Sequence, residues 1–196
     1  MIIHLLNGIY TIFIRVKRFV LRNKRLILLV LFSIIGFMFI NTWSLETNWL
    51  LFVFSPCLAI VSFCFTYMIF YNTNFKSLQG IFLSKISPKR ILVIIIYATY
   101  EEVLFRGGIQ HNLYLLIDEF IISAIITVLL FVIFHTKKIK NIKQFLDILI
   151  FSIFEALLFH VSKDILSIIS IHVVRNLLIE LFNNNIKERQ ENKGIT

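Results

Sequence analysis

The sequence predicts an all-α fold: a polytopic membrane helix bundle of about six transmembrane helices behind an N-terminal basic amphipathic segment. Three observations lead there. Hydrophobic residues make up 58% of the 196-residue chain and mean hydropathy is +0.86, which fits a membrane protein and excludes an ordinary soluble domain. The apolar residues come in continuous runs near the roughly 20 residues that a spanning helix needs, without the alternation of a β-barrel. Lysine and arginine collect between the runs, as the positive-inside bias expects. With 6 Gly and 2 Pro, the helices should be long and mostly unbroken.

In chain order, residues 1–25 mix apolar residues with Arg15, Lys17, Arg18, Arg22, Lys24 and Arg25, and read as a surface segment on the inner leaflet. Residues 26–43 are the first span, with Glu46 and Asn48 at its exit. Residues 49–71 are the second, with Trp43, Trp49, Tyr67 and Tyr71 as interfacial aromatics. Residues 72–90 form a polar loop carrying Lys76, Lys85, Lys89 and Arg90, and Ser87-Pro88 can open the next helix. Residues 91–106 are the third span. Residues 107–119 are a turn plus a short helical piece, with His111 and Asn112 interfacial. Residues 120–135 are the fourth span, closed by Lys137, Lys138, Lys140 and Lys143. Residues 147–160 are a short fifth, Lys163-Asp164 a tight connection, residues 165–182 the sixth, and 183–196 a frayed polar tail.

No repeat or internal boundary is visible, so residues 1–196 read as a single integral membrane domain with its core helices at 91–181. If the spans number about six, every basic cluster falls on one side. That places a multi-pass protein in the cell membrane with both termini in the cytoplasm. The net charge of +9 follows from this bias, with the lipid bilayer and no nucleic acid as partner. Cys57 and Cys64 read as core thiols near one helix face, two turns apart and too distant for a disulfide. No cysteine pattern suggests a zinc framework.

Against this apolar background, polar residues inside spans stand out. Tyr100-Glu101-Glu102-Val103-Leu104-Phe105-Arg106-Gly107-Gly108 continues the apolar run before it, placing two adjacent carboxylates where hydrocarbon is expected. A buried carboxylate needs a partner or a proton. On an α-helix Arg106 shares a face with Glu102 and can pair with it. Glu101 points roughly 100° away, which suits a separate proton acceptor or donor. The Gly-Gly pair should end or bend the helix. His135 follows Phe131 by four residues, and Asn176 follows His172 by four. Histidine can take a proton or bind a metal, and asparagine both donates and accepts hydrogen bonds. His4, His111 and His160 read as interfacial, and Glu155 as lumen-facing or paired with a basic residue.

Polar residues on different spans face the bundle interior, so Glu101, Glu102, Arg106, His135, His172 and Asn176 should converge. Two chemistries fit. Glu101 and His135 can deprotonate a water while His172 and Asn176 stabilise an oxyanion. Alternatively, a divalent metal such as zinc, held by Glu101, His135 and His172, activates the water. Both hydrolyse a peptide bond, and neither uses a Ser or Cys nucleophile.

The ordered motifs Glu101-Glu102-x-x-x-Arg106, Phe131-x-x-x-His135 and His172-x-x-x-Asn176 resemble those of the CPBP family, the CAAX-protease and bacteriocin-processing membrane proteins, also called Abi. The resemblance covers residues 91–181. It implies an all-α intramembrane endopeptidase acting on a membrane-associated peptide or protein substrate, hydrophobic, prenylated or leader-bearing. It implies Glu101 as the water-activating base assisted by His135, support from Glu102 with Arg106, and an oxyanion site of His172 and Asn176. It leaves metal dependence open. Where the family is often small and glycine-rich, residues 151–160 here are bulky and include Glu155. Two other functions compete. One is a non-catalytic bacteriocin immunity or partner-binding protein of the same family. The other is a proton- or cation-coupled transporter, which lacks the expected inverted repeat.

Overall fold

The computed structural model describes residues 48–71, 85–137 and 139–193. The elements among them are all helical: α1 (Trp49–Tyr71), α2 (Pro88–Glu102), a π-helical segment (Val103–Gln110), α3 (His111–Ile117), α4 (Phe120–Phe134), a 3-10 turn (His135–Lys137), α5 (Ile142–Ser162) and α6 (Ile165–Lys193). Helix α1, helix α5 and the Ile165–Ile186 part of α6 are long and apolar enough to cross a bilayer, and α4 is a shorter apolar helix. The chain is an all-helical membrane protein. The expected surface segment 1–25 and first span 26–43 lie outside the described residues, as do His4, Trp43 and most of the loop 72–90.

The chain divides into two compact units. One comprises Glu46–Val103 and Ser162–Thr196; the other includes Leu104–Val161.

In the first unit, α1 and α2 both pack on α6. Phe63, Tyr67, Leu178 and Phe182 form a buried apolar cluster. Positions 63, 67 and 71 recur every four residues, so their rings line one face of α1. Tyr67 stacks on Phe63 at 4.2 Å and on Tyr71 at 4.7 Å between ring centroids. Tyr67 is therefore a core residue and not the interfacial aromatic that the sequence suggested; Trp49 is 69% exposed. Pro56 lies inside α1 without ending it. Proline has no N–H for the Phe52 carbonyl. The Ser55 hydroxyl donates to that oxygen at 2.7 Å and lies within hydrogen-bond distance, 2.7 Å, of Ser170 Oγ on α6. Cys57 and Cys64 are free thiols, but Cys57 is exposed rather than in the core.

Helix α2 opens as the Ser87-Pro88 pair predicts. Ser87 is extended, its side chain accepts from Arg90 N, and Pro88 occupies the first turn, where a missing N–H costs nothing. Arg90 then binds Glu180 of α6 through two hydrogen bonds of 3.0 Å. The carboxylate beside it holds the Arg90 guanidinium above its ordinary pKa.

The Lys163-Asp164 connection is tight. Lys163 takes a left-handed φ of 55°. Asp164 caps α6, Oδ1 accepting from Leu166 N at 3.0 Å and Ser167 N at 3.3 Å. Asp164 Oδ2 accepts from the Ser167 hydroxyl and from Asn48 N, which ties the start of α1 to the start of α6. Helix α6 runs on to Lys193, through the segment expected to be a frayed tail, because no glycine or proline interrupts it before Gly194.

In the second unit the Gly107-Gly108 pair does not end the helix. The backbone passes from α-helix to π-helix at Val103 and reaches α3 without a break. Neither glycine is left-handed. Both are buried, and with no Cβ they admit close neighbours. The stop comes at Asp118, which caps α3 with φ 58°. Leu104, Phe105, Ile109 and Phe131 form one cluster, and Val132, Ile139 and Phe145 another. Helix α5 starts at Ile142, earlier than the expected 147. Asn141 Oδ1 accepts from Gln144 N at 3.0 Å as its cap, and Lys143 stays on the exposed side. Half-buried His160 is stacked on Phe120, 3.7 Å between centroids, with Tyr114 edge-on at 5.5 Å.

Candidate active site

Glu101 and Glu102 are the last two residues of α2, immediately before the π-helical segment. Single turns of π-helix are rare and recur at functional sites, because the i→i+5 spacing shifts the register of every later side chain. Both glutamates are buried. They meet His172, about two turns into α6 and also buried. His172 Nδ1 lies 2.5 Å from Glu102 Oε1, and His172 Nε2 lies 3.4 Å from Glu101 Oε2. The two side chains diverge along the helix, yet the two imidazole nitrogens stand on different edges of one ring. One histidine therefore receives both carboxylates.

Asn176 follows His172 by one turn of α6, half-buried. Arg175 beside it is buried, a cation to which the sequence assigned no role. Its burial was foreseeable from its place in an apolar run, but nothing in the run pointed to a task.

The other proposed residues belong to the second unit. His135 caps the end of α4 and is buried. Its Nδ1 lies 2.9 Å from Phe131 O, and its ring stacks on the Phe131 ring at 4.3 Å. A carbonyl oxygen can only accept, so Nδ1 carries the proton. In the neutral ring that puts the lone pair on Nε2, the form that a base or a metal ligand requires. The backbone carbonyl one turn back thus fixes the tautomer of His135.

Arg106 is fully buried in the π-helical segment. Its Nη2 donates to Glu155 at 3.3 Å, to Ser152 Oγ at 3.0 Å and to Ser152 O at 3.2 Å, and its guanidinium lies 5.2 Å from the Phe131 ring centre. The backbone between Glu102 and Arg106 is π-helical rather than α-helical. Glu155 is the carboxylate paired with a basic residue, one of the two options open to it in the sequence. Gln110, one turn further, donates to Ala156 O at 2.8 Å, and Asn112 donates to Gly108 O at 2.7 Å.

An all-helical membrane protein that buries a Glu–His–Glu clamp at the end of one helix has the makings of a water-activating hydrolase. Residues 84–178, which hold all six candidate site residues, match the family described as Rce1-like, type II CAAX prenyl endopeptidase Rce1-like. Over that stretch, just under half of its length, the chain is similar to this family. No curated protein and no solved structure matches it.

Proposed function

We propose that the protein is an intramembrane endopeptidase that hydrolyses a peptide bond in a hydrophobic, prenylated or leader-bearing substrate. The observation that carries this reading is the Glu101–His172–Glu102 clamp inside the matched stretch. Glu101 is the general base for water. His135 assists it, a role assigned by motif order and suited by its Nε2 lone pair. His172 and Asn176 donate to the oxyanion, and Glu102 and Arg106 support the site. The protein sits in the cell membrane, crosses it several times and keeps both termini cytoplasmic.

A divalent metal such as zinc fits this donor set. Two ligands about 2.1 Å from a tetrahedral zinc stand about 3.4 Å apart, and His172 Nε2 and Glu101 Oε2 are separated by 3.4 Å. A carboxylate on the far nitrogen is the usual support of a metal-binding histidine, and Glu102 stands there. Glu101 and His172 would hold the ion, with His135 as the further donor, and it would supply an acidified water.

The test uses full-length protein in lipid vesicles with a farnesylated CAAX peptide and with a leader-bearing peptide. We expect Glu101→Gln to lower kcat by at least about 100-fold, the contribution of a lost general base. His135→Ala should fall in the same range. Unchanged cleavage by a correctly inserted Glu101→Gln protein would sink the role of Glu101 as base, and no cleavage of either peptide by the native protein would leave the immunity or partner-binding reading.

A further inference from the structure

We infer that Glu102 is a positioning residue whose carboxylate takes the Nδ1–H of His172 and thereby aims His172 Nε2 at Glu101. The inference rests on the peptidase reading for its kinetic consequence, but its structural content stands without it. Family likeness pairs Glu102 with Arg106 as general support of the site. The geometry gives Glu102 a narrower task, on His172.

An imidazole on a buried helix has two orientations about its terminal torsion and two neutral tautomers. The state that serves the site depends on which nitrogen faces Glu101. Glu102 Oε1 lies 2.5 Å from Nδ1, so a carboxylate, which can only accept, selects the tautomer with hydrogen on Nδ1. The opposite edge of the ring then carries Nε2 toward Glu101 Oε2 at 3.4 Å. Both partners of this contact are buried. A charge-assisted hydrogen bond in such a place is roughly twice as strong as a neutral one.

The chain enforces this arrangement from both sides. Glu102 closes α2, whose other end is fixed to α6 by Arg90 and Glu180. His172 lies on α6 itself, so a single pair of helices carries the whole contact. With the ring neutral, the arrangement serves the metal chemistry, Glu102 being the outer partner of a metal-binding histidine. To donate to an oxyanion, Nε2 must carry a proton as well, and the ring then acts as an imidazolium with Glu102 on its Nδ1–H.

The experiment uses full-length protein in nanodiscs, labelled with 15N at its 5 histidines, with the His172 signals identified by their loss in His172→Asn. In the native protein we expect a pyrrole-type Nδ1 in a strong hydrogen bond. In Glu102→Ala that signal should be replaced by exchanging tautomers. Glu102→Gln, whose amide oxygen accepts the same N–H, should keep most of it and covers the case in which the alanine variant fails to fold. In the cleavage assay Glu102→Ala should lower kcat about 10–100-fold, the usual effect of losing an outer-shell partner, and leave KM within about twofold. Glu102→Ala/His172→Ala should be no slower than His172→Ala alone, because Glu102 acts through the ring.

An unaltered His172 spectrum in Glu102→Ala, a pyridine-type Nδ1 in the native protein, or additive losses in the double variant would each overturn the inference. If the native protein cleaves nothing, the peptidase reading falls and the nitrogen spectrum alone decides the role of Glu102.

Discussion

Arg106 is the residue on which burial acts hardest. A guanidinium at zero exposure has lost its hydration, and only its partners offset that. Glu155 and Ser152 supply the charge and the neutral acceptors, and the Phe131 face adds a cation–π contact. The pair does not by itself add much stability, but a broken pair is costly. Glu155→Ala should therefore destabilise the protein by about 3–5 kcal/mol, read as a lowered unfolding midpoint in detergent. Arg106→Met together with Glu155→Leu should restore most of it. A single Glu155→Ala variant as stable as the native protein would show that the pair carries no weight. At this scale the sequence was informative about type and blind to partner: the cost of burying Arg106 and Glu155 was legible, whereas their meeting was not.

At the scale of elements, two helix starts differ in what their caps do. Ser87 caps α2 at an exposed site with one hydrogen bond. Asp164 caps α6 and also accepts from Asn48, so it fastens a second helix. Ser87→Ala should cost about 1 kcal/mol or less. Asp164→Ala should cost about 2 kcal/mol, the upper end for a cap, and should increase hydrogen exchange at the start of α1 as well as α6. Exchange confined to α6 would refute the link. Lys163 offers the reverse case. Glycine suits its left-handed φ of 55° better than lysine does, so Lys163→Gly should be neutral or slightly stabilising in the same unfolding assay. Burial also pulls the Lys163 ammonium below its ordinary pKa, a cost that glycine removes. The cap at Ser87 and the turn at Lys163-Asp164 were readable because they are local. The π-helical segment was not, since a glycine pair signals a break and nothing in the sequence says which kind.

For the molecule as a whole, the expectation is a chain that crosses the bilayer repeatedly with its basic loops inside. Replacing Cys57 and Cys64 with serine and placing one cysteine at Lys140 or at Lys163 brackets α5. A membrane-impermeant maleimide should label position 163 from outside intact cells and position 140 only after lysis. Labelling of both from one side would show that α5 does not cross.

By itself the sequence determined the solvent and the chemistry: long apolar runs demand helices in lipid, and carboxylates and imidazoles lodged within them must be matched to one another. That holds because hydrophobic length and the cost of buried charge are properties of each residue type. Only the tertiary structure decided which carboxylate faces which ring. Glu102 stands against His172 Nδ1, and Glu155 pairs with Arg106. The physical reason is that such contacts depend on helix register, on a local change from α to π winding, and on residues 49 and 70 positions apart, none of which a periodic pattern encodes.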